Sequence, residues 1–288
     1  MLFSQATKQG AIETDKRGAI LIVPTLAPLA HRGTLATLFL GLAAGLILGL
    51  CAFSATAQAH SLWLETPVAA PPADEPLKIN IGFNEGFEVV DILEQSVGLI
   101  KAPLIVGPQG EIQTKLLGAL NYAYETVTPL PAGGYLGFTE YEPFVMGHGE
   151  TAPKNRYFMT GKTIINVGDG GDDSLLTKPQ GKASLEIVPL ANPKGLKAGG
   201  SLPFQVLFEG KPLVRATVLG DFRGFNPAGS WGMAKAFYCQ TDKEGKIDFL
   251  PVKGGLWVLK VRHAVPNEDK TEAAETVHLG NVTFFVGE

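Results

Sequence analysis

Apolar runs of strand length, each closed off by glycine or proline, recur from Leu77 to the C-terminus. They constrain the fold more than any other feature of this chain. Leu77–Phe83, Thr163–Val167, Ser184–Val188, Phe204–Phe208, Leu256–Val261 and Asn281–Val286 are alternating or continuous stretches of this kind. Short apolar runs bounded by turn residues read as strands. The 35 glycines and 20 prolines among 288 residues supply the turns and disfavour a helix bundle. Only Val89–Val97 reads as a short helix. The expectation is therefore all-β, with two antiparallel β-sandwich domains of Ig- or transthyretin-like kind. The Pro/Gly cluster Asn192–Gly195 lies between two strand runs and sets their expected boundary, giving domains 60–192 and 193–288. Leu130–Leu136 and Leu250–Trp257 both read as a Pro/Gly turn feeding a strand, a weak echo between the halves.

Residues 1–59 read as an address. Thr34–Phe53 carries no charge, Arg32 stands before it, and Ala57-Gln58-Ala59 after it forms an A-x-A cleavage site. Basic flank, apolar run and small-residue exit make a secretory signal peptide. The alternative is an uncleaved anchor, since about 20 apolar residues span a bilayer. The expected location is the periplasm, with an inner-membrane anchor facing the periplasm as the alternative. Cleavage after Ala59 leaves Cys239 as the one cysteine, so no internal disulfide braces the fold. The net charge of −4 and the lack of a basic block argue against a nucleic-acid partner.

Cleavage there makes His60 the first residue. Its free α-amine and its ring nitrogen together form a compact chelate for a divalent transition metal, because imidazole suits Ni, Co, Cu and Zn alike. The plain alternative is a frayed terminus with an incidental histidine. His263 ends the strand run Leu256–His263. Period-two counting puts it on the face of Trp257, Leu259 and Val261, with Val258, Lys260 and Arg262 on a face that reads as solvent-facing. Glu268 and Asp269 follow it and offer oxygen ligands, or else form an ordinary polar loop. His148, between Gly147 and Gly149, sits in a loop that offers a further ligand. His278 has nothing in its neighbourhood to recommend it. Asp169–Ser174 reads as a solvated hairpin and not as a calcium loop. Glu140 and Glu142 read as the solvated face of a strand. Cys239 reads as a small buried hydrophobe, and no G-x-S-x-G, H-E-x-x-H or C-x-x-C motif is present, so catalysis is not expected.

Several segments occur in a suggestive order. Ala59–Glu65 opens the exported chain, followed by Leu185–Pro193, Phe208–Leu213, Thr241–Gly245, and Gly255–Trp257 leading to His263. This order resembles the bacterial periplasmic NikM-like family, whose function is unassigned and which is described as a periplasmic component of cobalt or nickel transport. The resemblance spans roughly residues 59–288. It implies a C-terminal domain similar to transthyretin-like or carboxypeptidase-regulatory sandwiches, which bind more often than they catalyse. It also implies a metal role for His60 and His263.

The reading that follows is a periplasmic protein that binds nickel or cobalt and assists an inner-membrane cobalt/nickel permease. His60 and His263 would share one ion at the seam between the domains, completed by His148 and by Glu268 or Asp269. Two rival readings stand beside it. One is a glycan- or protein-binding sandwich that uses Tyr122, Tyr124, Tyr141 and Trp231 as exposed contacts. The other is a copper protein of the histidine-brace kind.

Overall fold

The computed structural model describes residues 13–14, 20–21, 60–84, 87, 98–118, 122–147, 152–226, 234–267 and 269–288, and no helix occurs among them. The segment 1–59 expected to be a signal peptide lies, apart from two short strands, outside the described residues, as does Val89–Val97. Those two strands, β1 (Glu13–Thr14) and β2 (Ile20–Leu21), pair antiparallel within a unit of their own, Met1–Ala57. Gln58–Glu288 forms the other compact unit.

The second unit is all-β. Its first half holds β3 (Ser61–Glu65), β4 (Glu75–Asn84), β5 (Leu104–Gly107), β6 (Gly110–Ile112), β7 (Thr114–Leu116), β8 (Ala123–Leu130), β9 (Gly133–Met146) and β10 (Asn155–Val167). Its second half holds β11 (Leu185–Pro189), β12 (Leu202–Phe208), β13 (Lys211–Pro212), β14 (Thr217–Phe222), β15 (Phe237–Gln240), β16 (Lys246–Phe249), β17 (Gly255–Pro266) and β18 (Glu275–Val286).

One sheet joins the halves. Its eight strands run β15-β14-β17-β18-β10-β9-β5-β6, and the pair at its middle, β10 with β18, is parallel. The other ladders among the described strands are antiparallel. Two smaller sheets cover it, β3-β4-β8-β7 and β11-β12-β13 with β16. They lie on opposite faces, as the alternation along β10 shows. Ile164 belongs to the core beneath β11 and β12, with Phe204, Phe249, Trp257 and Phe284. Ile165 and Val167 belong to the core beneath β3 and β4, with Leu62, Leu64, Ile79 and Tyr135. A strand covered on both faces reads as a continuous apolar run, which is why Thr163–Val167 does not alternate.

The expected break at Asn192–Gly195 falls inside the second sandwich. β11 pairs with β12 across it, Leu185 opposite Phe208 and Pro189 opposite Phe204. The Pro/Gly cluster is thus the β11–β12 connection, and β11 packs with the strands that follow it.

β3 ties the first sandwich to the shared sheet. Asn281 Nδ2 donates to the Leu62 carbonyl at 2.8 Å, and Thr283 Oγ1 donates to the Leu64 carbonyl. Gly161 permits the close approach, since a Cβ there would stand 3.0 Å from the Leu62 oxygen. On the strand beside β3, Gly82 lies opposite Trp63, and a Cβ on it would fall 2.0 Å from the indole ring. Trp63 is fully buried, so it has no room to yield. Gly82→Ala is expected to destabilise the protein by about 3 kcal/mol through overpacking. Gly118→Ala, where a Cβ meets open space, should stay within about 0.5 kcal/mol of wild type. Urea unfolding followed by tryptophan fluorescence checks both.

Candidate functional site

β17 and β18 form a long antiparallel ladder in which His263 stands directly opposite His278. Alternation puts both rings on the face covered by β12, in line with Trp257, Leu259, Val261, Val282 and Phe284. They lie at the rim of that core, with His278 buried and His263 half-buried. Directly opposed residues carry their Cβ atoms about 4.5–5.5 Å apart, a spacing at which two imidazoles reach a common point.

The surroundings fix both rings. Phe158 of β10 stacks on His278 at 5.2 Å, and the edge of Phe208 meets His278 at 4.9 Å and His263 at 4.5 Å. His278 Nδ1 lies 2.7 Å from Ser184 Oγ. When Nδ1–H donates to that hydroxyl, Nε2 presents its lone pair. Burial holds the His263 ring below its ordinary proton affinity. Burial does the same for His278, assisted by the charge of His263 and opposed by Glu209. Both rings are therefore neutral at neutral pH, the form in which imidazole ligates metal. Ser184 and Glu209 also line a cleft of about 530 Å³, walled by Lys182, Glu186, Leu207 and Gly210.

His60 is elsewhere. It precedes β3, is exposed, and stacks on Phe83 at 5.2 Å. Phe83 continues through Tyr141 and Phe144 to Tyr157, each ring 5.2–5.3 Å from the next. β3 packs against the face of β18 that carries Asn281 and Thr283, whereas His278 and its partner His263 use the other face. The eight-stranded sheet stands between His60 and His263, so the two do not share an ion at the seam. Asp269 is committed to its own turn, its Oδ1 accepting from Thr271 N at 3.0 Å and from Thr271 Oγ1 at 2.5 Å. Those bonds hold its exposed carboxyl below the usual range. His148 and Glu268 lie outside the described residues. Among the described residues, no group of three or more His, Cys, Asp or Glu side chains is disposed to hold a metal ion.

Two further expectations change. Lys260, read as solvent-facing, is buried, because β3 and Trp63 cover that end of the sheet and leave Arg262 outside. Of the aromatics read as exposed contacts, Tyr122 is buried, Tyr124 and Tyr141 are half-buried, and Trp231 lies outside the described residues. Glu140 is half-buried and Glu142 exposed, and both pair with Lys101 on the solvated side of the strand.

His278 is the residue that sequence reasoning missed. The signal that would have found it is the β17–β18 register, and the long connection between the two strands does not encode that register as a two-residue turn would.

Residues 57–265 match a domain of unknown function, DUF4198. A search of curated proteins finds no match. Among solved structures, the D00-D0 domain of Intimin overlays with a TM-score of 0.19 at 12% identity, covering 79% of this chain and 100% of that one. The D0-D1 domain of Intimin gives 0.20 at 13%, covering 78% and 98%. The Escherichia coli adhesin FdeC gives 0.20 at 12%, covering 76% and 63%. Overlays this slight carry no argument about function.

The depressed proton affinities of His263 and His278 have a definite sign. The unfolded chain binds protons on these rings near pH 6.5, and the folded chain binds them only at lower pH. Between those values the unfolded state holds more protons, so stability rises with pH across the window and falls on acidification below 6.5. The urea midpoint is expected to be lower at pH 5 than at pH 7. The gap should narrow in His278→Phe, which keeps the ring stacking and removes the titrating group. An unchanged gap in the variant would place the acid sensitivity elsewhere.

Proposed function

We propose that this chain, a member of the DUF4198 family, is an exported metal-binding protein that takes a divalent transition metal at the His263/His278 pair. The observation that carries the reading is the pair itself: two opposed imidazoles on adjacent strands, oriented by Ser184, Phe158 and Phe208 and kept neutral by burial. Neutral imidazole nitrogens suit nickel, cobalt, copper and zinc, and a hydroxyl on the distal nitrogen orients a ligating ring. Two nitrogens leave further coordination positions for water or for a ligand brought by a partner. Such an open set suits a protein that hands its metal on better than one that retains it.

Nickel or cobalt is the cargo that the resemblance to the NikM-like family favours, and an inner-membrane cobalt/nickel permease is the partner it suggests. Periplasmic export rests on the A-x-A signal that precedes His60. The site replaces the His60–His263 combination and removes the need for a mature N-terminus at the metal.

Calorimetric titration of the exported chain with nickel and cobalt chlorides tests the reading. His263→Ala and His278→Ala are each expected to weaken binding tenfold or more, on the order of what a lost metal ligand costs. His60→Ala should bind as wild type. Binding that follows His60 and ignores His278 would return the metal to the N-terminus. No saturable binding by the wild type would leave a sandwich that recognises a glycan or a partner protein.

A further inference from the structure

On the opposite face of the shared sheet from the histidines, the structure buries a group of charges. Asp221 projects from β14, Lys260 from β17, and Lys235 reaches in from the segment before β15. Their side chains are 6%, 7% and 8% exposed, so each is more than nine-tenths buried. Lys235 Nζ donates to Asp221 Oδ2 at 3.2 Å. Lys260 Nζ stands 3.9 Å from the same oxygen, beyond hydrogen-bond reach, and it has no hydrogen-bond partner among the described residues. Asp221 Oδ1 likewise has none among the described residues.

The neighbouring charges do not repair this. Arg223 and Glu65 form their own ion pair, with Trp63 Nε1 donating to Glu65 at 3.1 Å and the guanidinium lying over Phe87. Among the described residues two lysines face one carboxylate, which leaves one positive charge uncompensated. An unpaired interior ammonium is costly. Burial accordingly pushes the Lys260 amine down to about 8, so it remains largely protonated at neutral pH.

The two orphan atoms define what would complete the group. Lys260 Nζ needs an acceptor that carries negative charge, and Asp221 Oδ1 needs a donor. Water satisfies both atoms but leaves the charge. Chloride and nitrate neutralise the charge but offer Oδ1 no proton. We propose that Lys260, Lys235 and Asp221 form a binding site for a small hydrogen-bearing oxyanion, bicarbonate or dihydrogen phosphate. Its charged oxygens accept from Lys260 and Lys235, and its hydroxyl donates to Asp221 Oδ1. The site is independent of the histidine pair, which lies across the sheet.

The test is an anion series on the metal-free exported chain at pH 7 and constant ionic strength, read by calorimetry and thermal unfolding. Bicarbonate, phosphate, nitrate and chloride are titrated separately. Saturable binding of bicarbonate or phosphate is expected, with chloride and nitrate at least tenfold weaker. A hundredfold excess over Kd should raise Tm by roughly 5 °C. Bicarbonate alone would mark a planar site and phosphate alone a tetrahedral one, and either supports the proposal. Lys260→Met, which keeps the chain length and removes the charge, should abolish the response, while His278→Ala should leave it intact. Circular dichroism verifies that each variant is folded, and the wild-type series decides the matter if Lys260→Met does not fold. No binding of either oxyanion, equal binding of chloride or nitrate, or an undiminished response in folded Lys260→Met would each overturn the site.

Discussion

Everything in the second unit depends on a parallel pairing between strands more than a hundred residues apart, Asn155–Thr163 of β10 with Glu275–Thr283 of β18. It fuses four strands from each half of the chain into one sheet. The two small sheets then cover opposite faces of that sheet, offset across its width, so β10 and β18 at the middle are enclosed on both sides. An enclosed strand has no solvent for its polar side chains, and each must find a partner within the protein. Asn281 and Thr283 find theirs in the carbonyls of β3, and Lys162 finds Glu186 and the Ile187 carbonyl. These satisfied polar groups give β3 and β11 their places over the sheet, where apolar packing alone would let them slide.

The strand content was legible because turn residues and apolar runs carry it locally. The strand runs at Ser184–Val188, Phe204–Phe208, Leu256–Val261 and Asn281–Val286 all appear as strands, and the fold class follows from them. What was not legible is every relation that depends on long-range pairing. The break at Asn192–Gly195 looks like a linker in one dimension, and only the β11–β12 ladder shows that it is a connection within one sandwich. Period-two counting assigned Trp257, Leu259, Val261 and His263 to one face correctly. It could not say that β3 covers the other, so Lys260 read as solvated. Alternation tells which residues share a face and leaves open what lies on it.

The same limit applied to the candidate site. His60 and His263 stood out by position, one at a chain start and one at a strand end, and they proved to be separated by the sheet. His263 and His278 are in register because the β17–β18 hairpin closes with Pro266 opposite Glu275. A long connection carries no local signal for that register. A pair of side chains is a property of the ladder, and neither histidine announces it alone.

The offset arrangement also explains why the two unusual polar clusters are so different. On one face the β12 strand ends over β17 and β18 with Phe208, whose ring closes against both histidines and holds them neutral at the rim of an apolar core. On the other face Trp63 of β3 packs with Phe87, Leu256 and Val258, and beside them Asp221 of β14 and Lys260 of β17 are buried together with Lys235. There Lys235 sets its ammonium against Asp221 in place of an apolar side chain. The two proposed sites, one for a cation and one for an anion, thus lie back to back on opposite faces of one sheet.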